Sequence, residues 1–164
     1  MAPTWLAPLL LTCAPEVHAV TASALIHTES AFNPWAIGVV GGALVRQPRS
    51  AAEAFATAQA LRAAGWNFSV GLGQINVRNL ERLGLTLESA LEPCANLTAL
   101  QTVLAECFER ASRSASRQLD QLALRRALSC YYSGNFNTGF RHGYVHQVVH
   151  ATRSLSTAHL QEQP

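Results

Sequence analysis

The chain has 164 residues, a length that favours one domain with a substantial core. Apolar residues make up 49% of the chain and charged residues 13%, and the net charge of +2 is too small for a dedicated nucleic-acid binder. No apolar run is long enough to span a membrane. All twelve basic residues are Arg, and nine of the ten acidic residues are Glu, so Asp120 is the single aspartate available to a mechanism.

The chain divides into three segments by composition. Residues 1–16 are an apolar N-terminal segment, either the remnant of a signal peptide or the start of the first helix. Residues 17–155 are predicted to form the globular domain, and residues 156–164 a C-terminal tail.

Four cysteines are spaced too widely for a zinc motif: Cys13, Cys94, Cys107 and Cys130. Their even number favours two disulfides in an oxidising compartment, with four reduced cysteines in a cytosolic protein as the alternative. Four cysteines allow about three pairings, and the sequence leaves all of them open.

Helical periodicity dominates the chain from residue 18 onwards. Helices are predicted over 18–31, 51–64, 75–83, 97–117, 119–132 and 142–155. Residues 33–50 and the stretch "SGNFNTGF" are predicted loops, and "NFSV" is a short strand or turn. The sequence therefore predicts a mainly α domain with at most a small β element.

Glu29 lies at the end of the first predicted helix, just before Asn33-Pro34. A carboxyl group beside apolar side chains is desolvated, which raises its pKa and lets it act as a general acid near neutral pH. The alternative is an ordinary solvated glutamate near a helix end.

Two further stretches carry groups suited to binding a polar ligand. In "GLGQIN", Gln74 and Asn76 offer amide donors and acceptors of the kind that sugar hydroxyls and N-acetyl groups need. In "ALSCYYSGNF", Tyr131 and Asn135 stand where a helix ends and the chain turns. Taken singly, the first stretch also fits a tight turn and the second a pair of core aromatics.

The three stretches together resemble the soluble lytic transglycosylases. The motifs are Glu-Ser-x-Phe-Asn-Pro at 29–34, Gly-Leu-x-Gln-Ile at 71–75 and Ala-x-x-x-Tyr-x-x-Gly-Asn at 127–135. The likeness is strongest to the members attached to type IV secretion and conjugation machines. It implies a goose-type lysozyme-like α+β fold, action on peptidoglycan and export to the periplasm.

The resemblance also implies roles for individual residues. Glu29 matches the sole catalytic acid/base, Ser30 the serine that helps shape the site, Gln74 the cleft glutamine that contacts glycan, and Tyr131 the tyrosine close to the acid. Asn76 and Asn135 are further candidates for substrate binding. The chain departs from the family pattern in two places, with Gly73 where a Met is usual and Tyr132 where an Asn is usual.

The inventory of acids favours a one-acid mechanism, because neither Asp120 nor Glu53 stands in a motif. The expected activity is cleavage of the β-1,4 bond between N-acetylmuramic acid and N-acetylglucosamine with formation of 1,6-anhydro ends. A hydrolytic muramidase and a weakly active glycan-binding assembly factor are the alternatives.

The expected partners are glycan strands and other components of a type IV secretion apparatus, and the protein is expected to act as a monomer. Neither a cofactor nor a metal is implied. His142, His146 and His150 share one helix face without the H-E-x-x-H pattern, so a polar face is the preferred interpretation.

Overall fold

A computed structural model describes residues 1–113 and 120–160, the last five by their backbone alone. The described residues form seven α-helices and three short β-strands, so the predicted mainly α fold class is confirmed. In chain order the elements are α1 (Leu6–Cys13), α2 (Ala19–Ser30), β1 (Ile37–Val39), α3 (Ala51–Ala63), β2 (Phe68–Val70), β3 (Ile75–Asn76), α4 (Pro93–Arg113), α5 (Asp120–Ser133), α6 (Thr138–Arg141) and α7 (Tyr144–Leu160).

The core lies between helices that are distant in sequence. Helix α4 packs against α1 and α5, and α2 packs against α7. Leu25 and Ile26 of α2, Leu97 and Leu100 of α4, and Val148 of α7 are fully buried. These contacts place the end of α2 beside the beginning of α7, which is where the candidate site forms. Among the described residues, no helix combines the length and apolar character needed to cross a membrane.

The three strands form one antiparallel sheet in the order β1, β2, β3. Ile37 pairs with Val70, and Val70 pairs with Ile75. The side chain of Gln47 pairs with the outer edge of β1, because its Oε1 atom accepts from the Ile37 amide at 2.8 Å and its Nε2 atom donates to the Ile37 carbonyl at 2.9 Å. A side-chain amide thus satisfies the backbone groups that an edge strand would otherwise leave open.

Three of the predicted segments need correction. The helix predicted over 75–83 is wrong: Ile75 and Asn76 form β3, followed by a single 3₁₀ turn at Val77–Asn79. Apolar residues there fit a helical spacing, but Asn76 Oδ1 accepts from the Arg78 amide and Ile75 pairs in the sheet. The predicted loop 33–50 contains β1, and "SGNFNTGF" runs into the short helix α6.

The other predicted helices are present with shifted ends. Helix α3 begins at an N-cap in which Ser50 Oγ accepts from the Glu53 amide. The last helix begins at Tyr144 and reaches Leu160, beyond its predicted end. Residues 114–117 of one predicted helix, and residues 161–164 of the predicted tail, lie outside the described residues. The segment 1–16 contains α1, in which Leu6, Leu10 and Cys13 are buried.

Both pairs of cysteines form disulfides, and the structure assigns the pairing that the sequence left open. Cys13 is bonded to Cys94 and joins α1 to the first turn of α4, with 5.2 Å between the Cα atoms. Cys107 is bonded to Cys130 and joins α4 to α5, with 5.7 Å between the Cα atoms. Helix α4 is therefore linked covalently to both of its neighbours.

Each disulfide should contribute measurably to stability. The bonds close loops of 81 and 23 residues, for which loop entropy gives about 4.5 and about 3.4 kcal/mol of unfolding free energy. Cys13→Ser/Cys94→Ser should therefore be the more destabilising double variant in urea unfolding. Peptide mapping under non-reducing conditions checks the pairing, and linked peptides with any other pairing would contradict it.

Candidate active site

Helix α2 ends immediately after the candidate acid. Ala31 and Phe32 have φ angles of 50° and 64°, and the Ala31 amide donates to the His27 carbonyl. Helix α2 ends at Ser30, one residue before its predicted end and ahead of Asn33-Pro34. Two successive left-handed residues other than glycine are strained, typically by about 1–2 kcal/mol each. The strained residues directly follow the helix end that carries Glu29 into the cleft.

The carboxyl group of Glu29 lies beside the ring of Tyr144, at the start of α7. The Tyr144 hydroxyl donates a hydrogen bond to Glu29 Oε1. Burial raises the pKa of Glu29 to about 7, and the hydrogen bond from Tyr144 offsets part of that rise. Near neutral pH, Glu29 is therefore populated both as an acid and as a carboxylate.

Glu29 opens into a cleft of about 310 Å³ between the sheet and helices α4 and α5. The residues that line it are Glu29, Gly38, Val39, Val40, Ser69, Gln74, Ile75, Asn76, Asn79, Val103, Tyr131 and Tyr132. Among the residues that the structure describes, Glu29 is the one carboxylate in this lining. Larger cavities occur elsewhere on the surface, but they do not include Glu29.

Gln74 stands on the sheet side of the cleft in a constrained conformation. Its φ angle is 49°, and its Nε2 atom donates to the carbonyls of Ala36 and Gly71, both at 3.0 Å. These two bonds use both amide protons and leave the Oε1 atom beside Gly38, where an added Cβ would lie 2.6 Å from it. Gly38 therefore makes room for the amide oxygen of Gln74 at the cleft surface.

Tyr131 contacts the same turn from α5. Its hydroxyl donates to the Gly73 carbonyl at 2.6 Å, and a Cβ at Gly73 would lie 2.9 Å from that hydroxyl. Burial, with a smaller contribution from the charge of Glu29, raises the pKa of Tyr131 well above its ordinary value. The glycine that departs from the family pattern is thus the residue against which Tyr131 packs.

The turn is also held from α4 by a residue that the sequence analysis missed. Asn96 is fully buried, and its Oδ1 atom accepts from the Gly73 amide at 2.7 Å. Its Nδ2 atom donates to the carbonyls of Val70 and Ala90. One side chain therefore satisfies three buried backbone groups of separate segments, which is costly to lose.

The remaining predicted site residues are divided between the cleft and other places. Asn76 lines the cleft and donates from Nδ2 to Asn67 Oδ1 at 3.0 Å. Ser30 is buried and donates to the Ile26 carbonyl of its own helix, and it is not among the residues that line the cleft. Asn135 is also outside the lining, where its Oδ1 atom accepts from the amides of residues 137 and 138 in a turn.

The candidate second acids of the sequence analysis lie elsewhere. Asp120 is exposed at the first residue of α5. Glu53 pairs with Arg46, which holds the pKa of Glu53 below its ordinary value. Within the part of the chain that the structure describes, no group of three or more His, Cys, Asp or Glu side chains is arranged to hold a metal ion.

The sequence matches the Transglycosylase SLT domain over residues 11–149, so the chain belongs to this family. Among curated relatives, "Type IV secretion system protein virB1" of Brucella abortus is 52% identical over 127 residues, which cover 77% of this chain and 53% of the relative. "Protein virB1" of Rhizobium radiobacter is 38% identical over 151 residues, covering 91% of this chain and 61% of the relative. The chain thus spans between half and two thirds of the length of these relatives. No solved structure gave a significant match.

The raised pKa of Glu29 predicts a pH-dependent cost of folding. A carboxyl group whose pKa is about 4.5 unfolded and about 7 folded favours the folded state fully below pH 4.5, and this contribution is lost as pH rises to 7. Glu29→Gln removes the cost of burying the charge. The unfolding free energy of Glu29→Gln minus that of the unsubstituted protein should be larger at pH 8 than at pH 4, by up to about 3 kcal/mol. Urea unfolding of both proteins at the two pH values measures the change.

The hydrogen bond from Tyr144 lowers the pKa of Glu29, so its removal should raise that pKa further. We expect Tyr144→Phe to move the titration of the Glu29 carboxyl carbon, followed by NMR with ¹³C-labelled glutamate, to higher pH. Tyr132→Phe is the matched control, since its hydroxyl bonds to His142 and not to Glu29. An unchanged titration in Tyr144→Phe would contradict the assigned hydrogen bond.

Proposed function

We propose that this domain is a peptidoglycan lytic transglycosylase that cleaves the β-1,4 bond between N-acetylmuramic acid and N-acetylglucosamine. The observation that carries the proposal is one partly buried carboxyl group, with a pKa of about 7, in a cleft whose lining, among the described residues, holds no other carboxylate. Membership of the SLT family supports the substrate class.

In the first step, Glu29 acts as a general acid. The protonated carboxyl group gives its proton to the glycosidic oxygen, the bond from that oxygen to C1 of the muramyl residue breaks, and the N-acetyl group of the substrate stabilises the positive charge at C1. A two-carboxylate glycosidase would need a second acid within about 5–9.5 Å of the first. The substrate's own acetamido group takes that place here.

In the second step, the same residue acts as a general base. The Glu29 carboxylate takes the proton from the C6 hydroxyl of the muramyl residue, and the C6 oxygen bonds to C1 to close the 1,6-anhydro ring. Water is not consumed, and Glu29 ends as it began, protonated. A pKa near the working pH makes both proton transfers accessible to one group.

The walls of the cleft suit a glycan in other respects. Gln74 and Asn76 line the cleft, and because their amide protons are already bonded within the protein, their amide oxygens are the atoms that can accept from the hydroxyl and N–H groups of a glycan. Tyr144 keeps the carboxyl group oriented through its hydrogen bond to Oε1. Ser30 contributes indirectly, through its bond to the Ile26 carbonyl at the end of the helix that carries Glu29. Asn135 shapes the turn after α5.

We further propose that the activity serves a type IV secretion apparatus in the bacterial periplasm, where a local opening in the wall lets the apparatus assemble. The name of the Brucella abortus relative, "Type IV secretion system protein virB1", associates that protein with such a system. Two disulfides fit an oxidising compartment. Glu29, Gln74 and Tyr131 all come from one chain, and we expect the domain to act as a monomer.

Paired substitutions test the one-acid mechanism. Glu29→Gln should lower the rate on purified sacculi at least ~10²–10⁴-fold, the usual worth of general acid–base catalysis. Asp120→Asn is the matched control and should leave the rate nearly unchanged, because Asp120 is exposed at the start of α5. Circular dichroism confirms that both variants fold.

Mass spectrometry of the released muropeptides identifies the reaction. Anhydro-muramyl ends are the expected product. Reducing ends would make the domain a hydrolytic muramidase, and loss of activity in Asp120→Asn as complete as in Glu29→Gln would replace the one-acid mechanism with a two-carboxylate one.

A further inference from the structure

Tyr132 occupies an unusual position at the wall of the cleft. It follows Tyr131 on α5, lines the cleft together with Glu29, and is 45% exposed. Its ring stacks on the ring of Tyr144, with 4.5 Å between the centroids and 20° between the planes. Tyr144 thus covers one face of the Tyr132 ring, and a large part of the remaining ring surface is open to solvent.

A second contact holds the ring in place. The Tyr132 hydroxyl and His142 Nδ1 are 3.2 Å apart, and the two rings meet edge to face with 5.9 Å between their centroids. An exposed tyrosine fixed by both a stacked ring and a hydrogen bond has lost its rotational freedom before any ligand arrives. Such preorganisation lowers the entropic cost of binding.

The cleft has two walls of different chemistry. The sheet side carries the amides of Gln74 and Asn76, and the helix side carries the aromatic surface of Tyr132. A pyranose ring has the matching pair of surfaces, with polar substituents around its edge and an apolar C–H face. The electron-rich face of an aromatic ring attracts such C–H groups.

We propose that Tyr132 is a specificity-determining residue that packs against the C–H face of an N-acetylated pyranose in the cleft, with Tyr144 and His142 as its supports. The proposal rests on the proposed function and deepens it, because it assigns a sugar-stacking role at the position where this chain departs from the family pattern. Tyr132 acts in binding, while Glu29 performs the proton transfers.

Binding in a catalytically inactive background isolates this role. In the Glu29→Gln protein, Tyr132→Ala should weaken binding of a tetramer of β-1,4-linked N-acetylglucosamine, measured by titration calorimetry, about tenfold. Tyr132→Phe keeps the ring and its stack on Tyr144, so its affinity should stay within about twofold. Tyr132→Asn, the residue usual in the family, should match the alanine variant and covers the case in which that variant fails to fold.

Trp5→Ala provides a matched control. Trp5 is 43% exposed, close to Tyr132 in exposure, but it precedes α1 and is not among the residues that line the cleft. Its substitution should leave the affinity for the tetramer unchanged. The proposal would be overturned if Tyr132→Ala left the affinity of the Glu29→Gln protein for the tetramer unchanged, or if the Glu29→Gln protein with Tyr132 intact did not bind the tetramer.

Kinetics with Glu29 intact separate a binding role from a merely structural one. Tyr132→Ala should raise KM for soluble glycan strands about tenfold and leave the pH profile of kcat in place. A shifted pH profile with unchanged KM would mean that Tyr132 only shields Tyr144, and would overturn the proposal. A Glu29 protein that binds the tetramer through Tyr132 but releases no muropeptides from sacculi would instead refute the proposed function.

Discussion

The candidate site depends on one interaction, the contact between the partly buried carboxyl group of Glu29 and the hydroxyl of Tyr144. These residues are 115 positions apart, and they meet because α2 and α7 pack together through the core. Burial alone would push the carboxyl group further towards its neutral form, whereas the tyrosine proton stabilises its anion. The balance of the two effects sets a pKa at which one group can give a proton and later take one back.

The opposite wall is fixed by a different network, centred on the turn between β2 and β3. Asn96 accepts from the amide of Gly73, and Tyr131 donates to its carbonyl, so both backbone groups of this glycine are bonded from neighbouring helices. A side chain at this position would have to displace the Tyr131 hydroxyl and Leu100. Because the turn is held in this way, Gln74 can keep a left-handed conformation that presents its amide oxygen beside Gly38.

Helix α4 connects this network to the stability of the domain. It carries Asn96, which holds the turn, and Val103, which lines the cleft, and its two cysteines link it to α1 and α5. Constraining the unfolded chain in this way offsets the cost of left-handed residues next to Glu29 and at Gln74. The disulfide-linked scaffold thus stabilises the fold enough to hold an unfavourable backbone geometry at the site.

The sequence by itself determined the helical class, the end of a helix just after Glu29, and the glycine-rich turn that carries Gln74, because periodicity, helix termination and glycine-rich turns are encoded over a few neighbouring residues. It did not indicate that Tyr144 bonds to Glu29, that Asn96 holds the turn, or which cysteines pair. It also predicted a helix over 75–83, where sheet pairing and the Asn76 turn prevail. The tyrosine bond, the asparagine contact and the disulfide pairing each join groups from distant segments, and only the packing of the chain brings such groups within reach of one another.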